Sequence, residues 1–219
     1  MISAEEVDSP RTGLLMQAVG NQFGMLQAAR GGTISESSSR SSLYLTSLSG
    51  AVVGLSFVAQ ASRFGETFFI FALAILPVVF FLGVVTYYRL LQTGVEDVIY
   101  ARALSRIQDF YSQIDATHAD LFHWSSVDQV GLSQLGLFRL RWQQFLSSAA
   151  TIAIVNSVVG GVFIALMVDF ALEPQPFIGI LVGGVAAVMI SVGFLGHQWA
   201  TWMHVAGALP MVAGPRPPA

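Results

Sequence analysis

Charged side chains leave four long gaps in this chain. Between Arg40 and Arg63 lie 22 residues without Asp, Glu, Lys or Arg, and between Glu66 and Arg89 another 22. Between Arg141 and Asp169 lie 27, and between Glu173 and Arg216 lie 42, of which 177–200 are the apolar part. About 20 apolar residues cross the ~30 Å hydrocarbon core as a helix, so every gap is long enough. In lipid each backbone N–H and C=O must pair inside the chain, which leaves helices or a closed barrel. Barrel strands alternate apolar and polar residues over about 10 positions, and FIFALAILPVVFFLGVV (69–85) does not alternate. The pattern predicts an all-α polytopic membrane protein with transmembrane helices at about 43–62, 67–91, 145–170 and 177–200.

Composition agrees. Of 219 residues, 54% are hydrophobic and 11% charged, against roughly 25% charged in a soluble domain. Too little charge remains to cover a water-facing surface. Net charge is −3, with no basic patch of the kind that binds nucleic acid. The absence of cysteine excludes disulfides, thiolate metal sites and cysteine nucleophiles. All ten basic residues are Arg, which resembles the coding bias of a high-GC bacterium.

The connections set the topology. Loops 63–66 and 169–176 are short, so the four helices pair into two hairpins. The predicted organisation is a cytosolic arm (1–42), a first hairpin (43–91), a cytosolic helical segment (92–141), a second hairpin (142–200) and a Pro-rich tail (201–219). Nine Arg fall in the arm, the middle segment and the tail, against Arg63 alone on the other side. The positive-inside rule then places both termini in the cytoplasm of a bacterial inner membrane. Tyr44, Tyr87, Tyr88, Trp142, Trp199 and Trp202 gather near that boundary. The first 40 residues lack the basic start and apolar run of a signal peptide.

Outside the spans, residues 12–30 read as an amphipathic helix through Leu15, Val19, Phe23, Leu26 and Ala29. Gly31-Gly32 is expected to stop it, with GTISESSSRSS as a flexible hinge. In the middle segment Val95, Ile99, Ala103, Ile107, Phe110 and Ile114 form an apolar seam. Ser125-Ser126-Val127-Asp128 reads as a capping box for a short helix ending near Gly136.

Two patterns stand out within the spans. Small residues recur four apart: Gly50 and Gly54 in the first helix, Ala153, Ser157 and Gly161 in the third, Gly179, Gly183 and Ala187 in the fourth. Small residues let helix backbones approach where lipid supplies no hydrophobic drive. They serve packing within the bundle or contact with another chain. A polar stripe also runs along the first helix, through Ser42, Thr46, Ser49, Ser56, Gln60 and Arg63, and ends beside Glu66. Such a stripe lines a water path, or its hydroxyls bond back to their own helix. Asn156 in the third helix reads as a bundle-interior amide, and Pro77 as a kink in the second.

Other chemistry finds little footing. Asp115, His118, Asp120 and His123 hold ligand types for zinc, but no second cluster completes a site, and a solvated loop is the plainer reading. No catalytic, cofactor-binding or metal residue is assigned. There is no GxSxG, P-loop, HExxH or dinucleotide turn, and no span holds an Asp or Glu away from its end, as a proton relay needs.

The stretches SSLYLTSLSGAVVGLSFVAQASRFGE and FFIFALAILPVVFFLGVVTYYRLLQTGVEDVIYARALSRIQ resemble small uncharacterised bacterial four-pass membrane proteins over about residues 40–165. That resemblance implies a four-helix fold and brings no activity with it. The layout also resembles small transmembrane effectors of bacterial nucleotide-signalling defence, without a placeable motif. Calcium-release channels carry an acidic filter residue in their first helix, and residues 41–62 have none. The expected function is therefore a non-enzymatic scaffold or accessory subunit. Its partners would be the bilayer and either copies of itself or another membrane protein. The alternative is a homo-oligomeric channel or membrane-perturbing effector with the first helix lining the path.

Overall fold

A computed structural model describes residues 10–114, 148–171 and 176–208. Among them are four helices: α1 (Pro10–Ser62), α2 (Glu66–Ile114), α3 (Ser148–Ala171) and α4 (Pro176–Ala208). Each is long and apolar enough to cross a membrane. The capping box at 125–128, the DATHADLFH cluster and the tail beyond 208 lie outside the described residues.

The chain divides into two compact units, 1–40 with 92–147 and 41–91 with 148–219. In the first, the start of α1 runs antiparallel to the end of α2. The Arg30 guanidinium donates to the Asp97 carboxylate at 2.7 Å, and the Tyr111 hydroxyl reaches the Met16 carbonyl at 3.5 Å. Besides Ala29, Ser37 and Arg40, the buried and half-buried positions of α1 in this unit are Met16, Val19, Phe23, Leu26, Arg30 and Thr33. They alternate steps of three and four, the 3.5-residue repeat of a left-handed helix pair.

This register corrects two sequence expectations. Leu15 is 51% exposed and Met16 takes its inward place. On α2, Ile99 is 46% exposed while Leu104 is buried at 5%. The expected hinge is also absent, because α1 continues unbroken through Gly31, Gly32 and the Ser-rich stretch. Two interior glycines cost about 1 kcal/mol each. Local bonds oppose that cost. The Thr33 hydroxyl donates to the Arg30 carbonyl at 2.8 Å, and Arg40 pairs with Glu36 one turn back at 2.8 Å. Thr33 itself is buried, so this stretch has a helix to pack on.

The second unit holds α3 and α4 packed on each other, with the charge-free parts of α1 and α2. Its core joins Tyr44 of α1, Ala72, Leu76, Val79 and Tyr87 of α2, and Ile152 and Ala153 of α3. Large apolar side chains point outward instead: Phe57 is 68% exposed, Phe81 66% and Ile180 70%. Pro77 is accommodated inside α2.

The α1–α2 connection is tight. The Phe64 amide donates to the Ala59 carbonyl at 3.1 Å and the Gly65 amide to the Ser62 carbonyl at 2.9 Å. The first is the long bond of a Schellman cap, which places Arg63 at the position glycine usually fills. Arg63 and Phe64 accordingly sit at φ 51° and 58°.

Candidate functional site

Helix α1 carries two seams on opposite sides of its charge-free part. The inner one runs Tyr44, Leu48, Ala51, Leu55, Val58 and Ser62, all buried or half-buried. The outer one runs Ser42, Thr46, Ser49, Val53, Ser56 and Gln60, all exposed. The same alternation of four and three sets both seams. A two-residue offset turns the helix by about 200°, at 3.6 residues per turn. The polar stripe therefore lies wholly on the outside of the unit. Arg63 and Glu66 at its end are exposed too.

Hydrogen bonding divides the stripe. The Ser56 hydroxyl donates to the Val52 carbonyl four residues back at 2.8 Å, as Ser47 does to Leu43. Such hydroxyls are satisfied by their own helix. Thr46, Ser49 and Gln60 make no side-chain hydrogen bond among the described residues, and Arg63 and Glu66 no ion pair. Gly50 is open beside them: a Cβ there would meet nothing within 4 Å. At Gly54 a Cβ would make ordinary contact with Phe71 at 3.9 Å.

The small-residue columns of α3 and α4 face inward. A Cβ on Gly161 would lie 2.5 Å from the Gly183 carbonyl oxygen and 2.6 Å from the Ala187 Cβ. Gly179 lies against the Asp169 carboxylate. Ala153 and Ser157 are fully buried, with the Ser157 hydroxyl on the Ala153 carbonyl at 2.7 Å. These residues bring α3 and α4 into close contact. Gly160, which the four-residue columns omit, is equally tight, since a Cβ would stand 2.8 Å from the Phe80 ring and 2.9 Å from Ile190.

Two interior polar contacts complete the unit. The Tyr44 hydroxyl donates to Asn156 Oδ1 at 3.1 Å. The Asn156 amide occupies a notch that exists only because Gly83 has no side chain. Its Nδ2 is buried without a hydrogen-bond partner. Nearby in sequence, Tyr87 donates its one hydroxyl proton to the Phe194 carbonyl at 2.7 Å. The 3.2 Å contact between that hydroxyl and His197 Nδ1 then needs the proton on Nδ1, since the tyrosine has no second one to give. Sequence reading placed Asn156 inside the bundle. It missed Gly83, whose signal was being the lone glycine of the second apolar run, and the Tyr87–His197 pair.

Among the described residues no group of three His, Cys, Asp or Glu side chains comes together to hold a metal. The site that remains is a surface: an outward stripe of hydroxyl and amide groups, able to hydrogen-bond to another helix. No family model matches this chain, and neither do any of the curated proteins or solved structures.

Proposed function

We propose that this chain is a non-enzymatic multi-pass membrane protein, a scaffold or accessory subunit. Both termini lie in the cytoplasm of a bacterial inner membrane, and a protein partner docks on the unit formed by residues 10–40 and 92–114. The observation that carries this reading is the outward face of α1 there. Leu14 is 67% and Met25 68% exposed, and exposed Ala18 and Ala28 share their side of the helix. The opposite side already packs on α2. Asn21 lies among Leu14, Ala18, Met25 and Ala28 on the outward side, so two large apolar side chains stand exposed on an otherwise small or polar face, in a stretch outside the charge-free gap of α1, among Arg11, Arg30 and Arg40. The distribution of nine Arg against one supports the orientation.

Gly161, Gly179 and Gly183 are used within the chain, so the docking role shifts from them to α1. The channel alternative draws less support. Its central residue, Ser56, spends its proton on its own helix. The test is the mass of the complex extracted in mild detergent from the cell that makes the protein. Leu14→Asp combined with Met25→Asp is expected to shrink that complex to the chain's own oligomer with helix content unchanged. An unchanged complex removes the docking face.

A further inference from the structure

We propose that the outer seam of α1 is a parallel interface between two copies of this chain inside the bilayer. The proposal goes beyond the docking face at Leu14 and Met25 and does not depend on it. It starts from spacing. Ser42, Thr46, Ser49, Val53, Ser56 and Gln60 follow one another by alternating steps of four and three, and Arg63 comes just past the end of α1. That 3.5-residue repeat keeps a stripe facing one neighbouring helix along its whole length, and most transmembrane bundles cross with this left-handed geometry. The inner seam has the same repeat and already has its neighbours. The outer seam has none among the described residues.

Chemistry then selects the neighbour. Thr46, Ser49 and Gln60 hold unused hydrogen-bonding groups at exposed positions, and lipid tails offer them no partner. Two copies insert with the same orientation, so α1 meets α1 in parallel and each seam residue meets its own kind. That arrangement works only for side chains that both donate and accept. A hydroxyl has one proton and two lone pairs, and a primary amide has both functions. Within the span the polar seam residues are Ser, Thr and Gln alone. Gly50 adds an open backbone beside Ser49, where a Cβ would meet nothing within 4 Å. At the end of the seam, Arg63 and Glu66 are exposed and form no ion pair among the described residues. A two-fold arrangement sets two guanidiniums and two carboxylates together, each Arg63 answered by the other copy's Glu66.

The chain has no native cysteine, so single cysteines report the contact in membranes holding the full protein. Under mild oxidation Ser49→Cys and Val53→Cys are expected to yield a disulfide-linked species of twice the chain mass. Phe81→Cys, 66% exposed on α2, is expected to remain monomeric. Monomers at both seam positions, or equal dimer at Phe81, overturn the interface. An adduct of any other mass overturns the second copy in favour of a different protein. Charge reversal separates the same alternatives. Arg63→Glu and Glu66→Arg should each lower the cross-linked fraction at Val53→Cys severalfold, and together restore it. Failure of the pair to restore it refutes the reciprocal pairing of two copies. None of these readouts involves Leu14 or Met25, so failure here leaves the docking face standing, and the reverse.

Discussion

Gly161 of α3 and Gly183 of α4 face each other so closely that a Cβ on either would lie 2.5 Å from the other's carbonyl oxygen. The same added Cβ would also stand 2.6 Å from the Ala187 Cβ at Gly161 and 2.7 Å from the Ala165 Cβ at Gly183. Overpacking a filled interior costs about 1–3 kcal/mol, and in lipid no hydrophobic drive compensates. Gly183→Ala is expected to lower the thermal unfolding midpoint in detergent. Its neighbour Gly184 is open, with nothing within 4 Å of a Cβ, and there alanine should gain about 0.5–1 kcal/mol from helix propensity. Equal midpoints for the two variants would contradict the packing described.

Gly83 and Asn156 form the second glycine-dependent contact, and they predict a non-additive pair. Gly83→Ala puts a methyl group where the Asn156 amide lies and is expected to destabilise by about 1–3 kcal/mol. Asn156→Ala frees that space and leaves the Tyr44 hydroxyl without its acceptor, at a cost of about 1–3 kcal/mol. The double variant should be more stable than the sum of the two losses, with a coupling of about 0.5–3 kcal/mol. Denaturation of all four proteins in one detergent measures it, and simple additivity would place the amide elsewhere.

These contacts show where the sequence was readable. The spans followed from charge alone, because expelling Asp, Glu and Arg from lipid leaves a one-dimensional mark. The α3–α4 contact followed from Gly161, Gly183 and Ala187, since close approach demands small residues at helical spacing. The rotation of α1 was harder to read. Leu15 and Met16 are both apolar, and only the partner helix decides which turns inward. Continuity through Gly31 and Gly32 was hidden for the same reason: local propensity favours a break there, and tertiary contacts at Arg30 and Thr33 override it. The polar stripe was visible as a stripe. Its outward direction was not, because the inner and outer seams of α1 share one repeat and differ only in offset.

The α1–α2 connection gives a prediction with two signs. Arg63 holds φ 51° at the cap position that glycine favours. A left-handed conformation costs an L-residue about 1–2 kcal/mol. Arg63→Gly should therefore raise the unfolding midpoint, measured in detergent dilute enough that copies are separate. Gly65→Ala should lower it, since a Cβ there would stand 2.9 Å from the Ser62 carbonyl oxygen. A rise for both, or a fall for both, would be incompatible with this turn.

The proposed orientation makes the final prediction. With both termini in the cytoplasm, the α1–α2 connection faces outward and the unit built on residues 10–40 faces inward. Phe64 is 67% exposed in that connection, and Gln27 is exposed on α1 in the other unit. With no other thiol in the chain, one cysteine at either place gives an unambiguous signal. Neither substitution changes the nine-to-one distribution of Arg that sets the orientation. In intact cells a membrane-impermeant maleimide should label Phe64→Cys and spare Gln27→Cys. After the membrane is opened with detergent, Gln27→Cys should label as well, which shows that its thiol was shielded by the bilayer and not by the fold. Labelling of Gln27→Cys alone in intact cells would invert the topology. Labelling of both would mean that the population inserts in two directions, which an Arg imbalance this large does not permit.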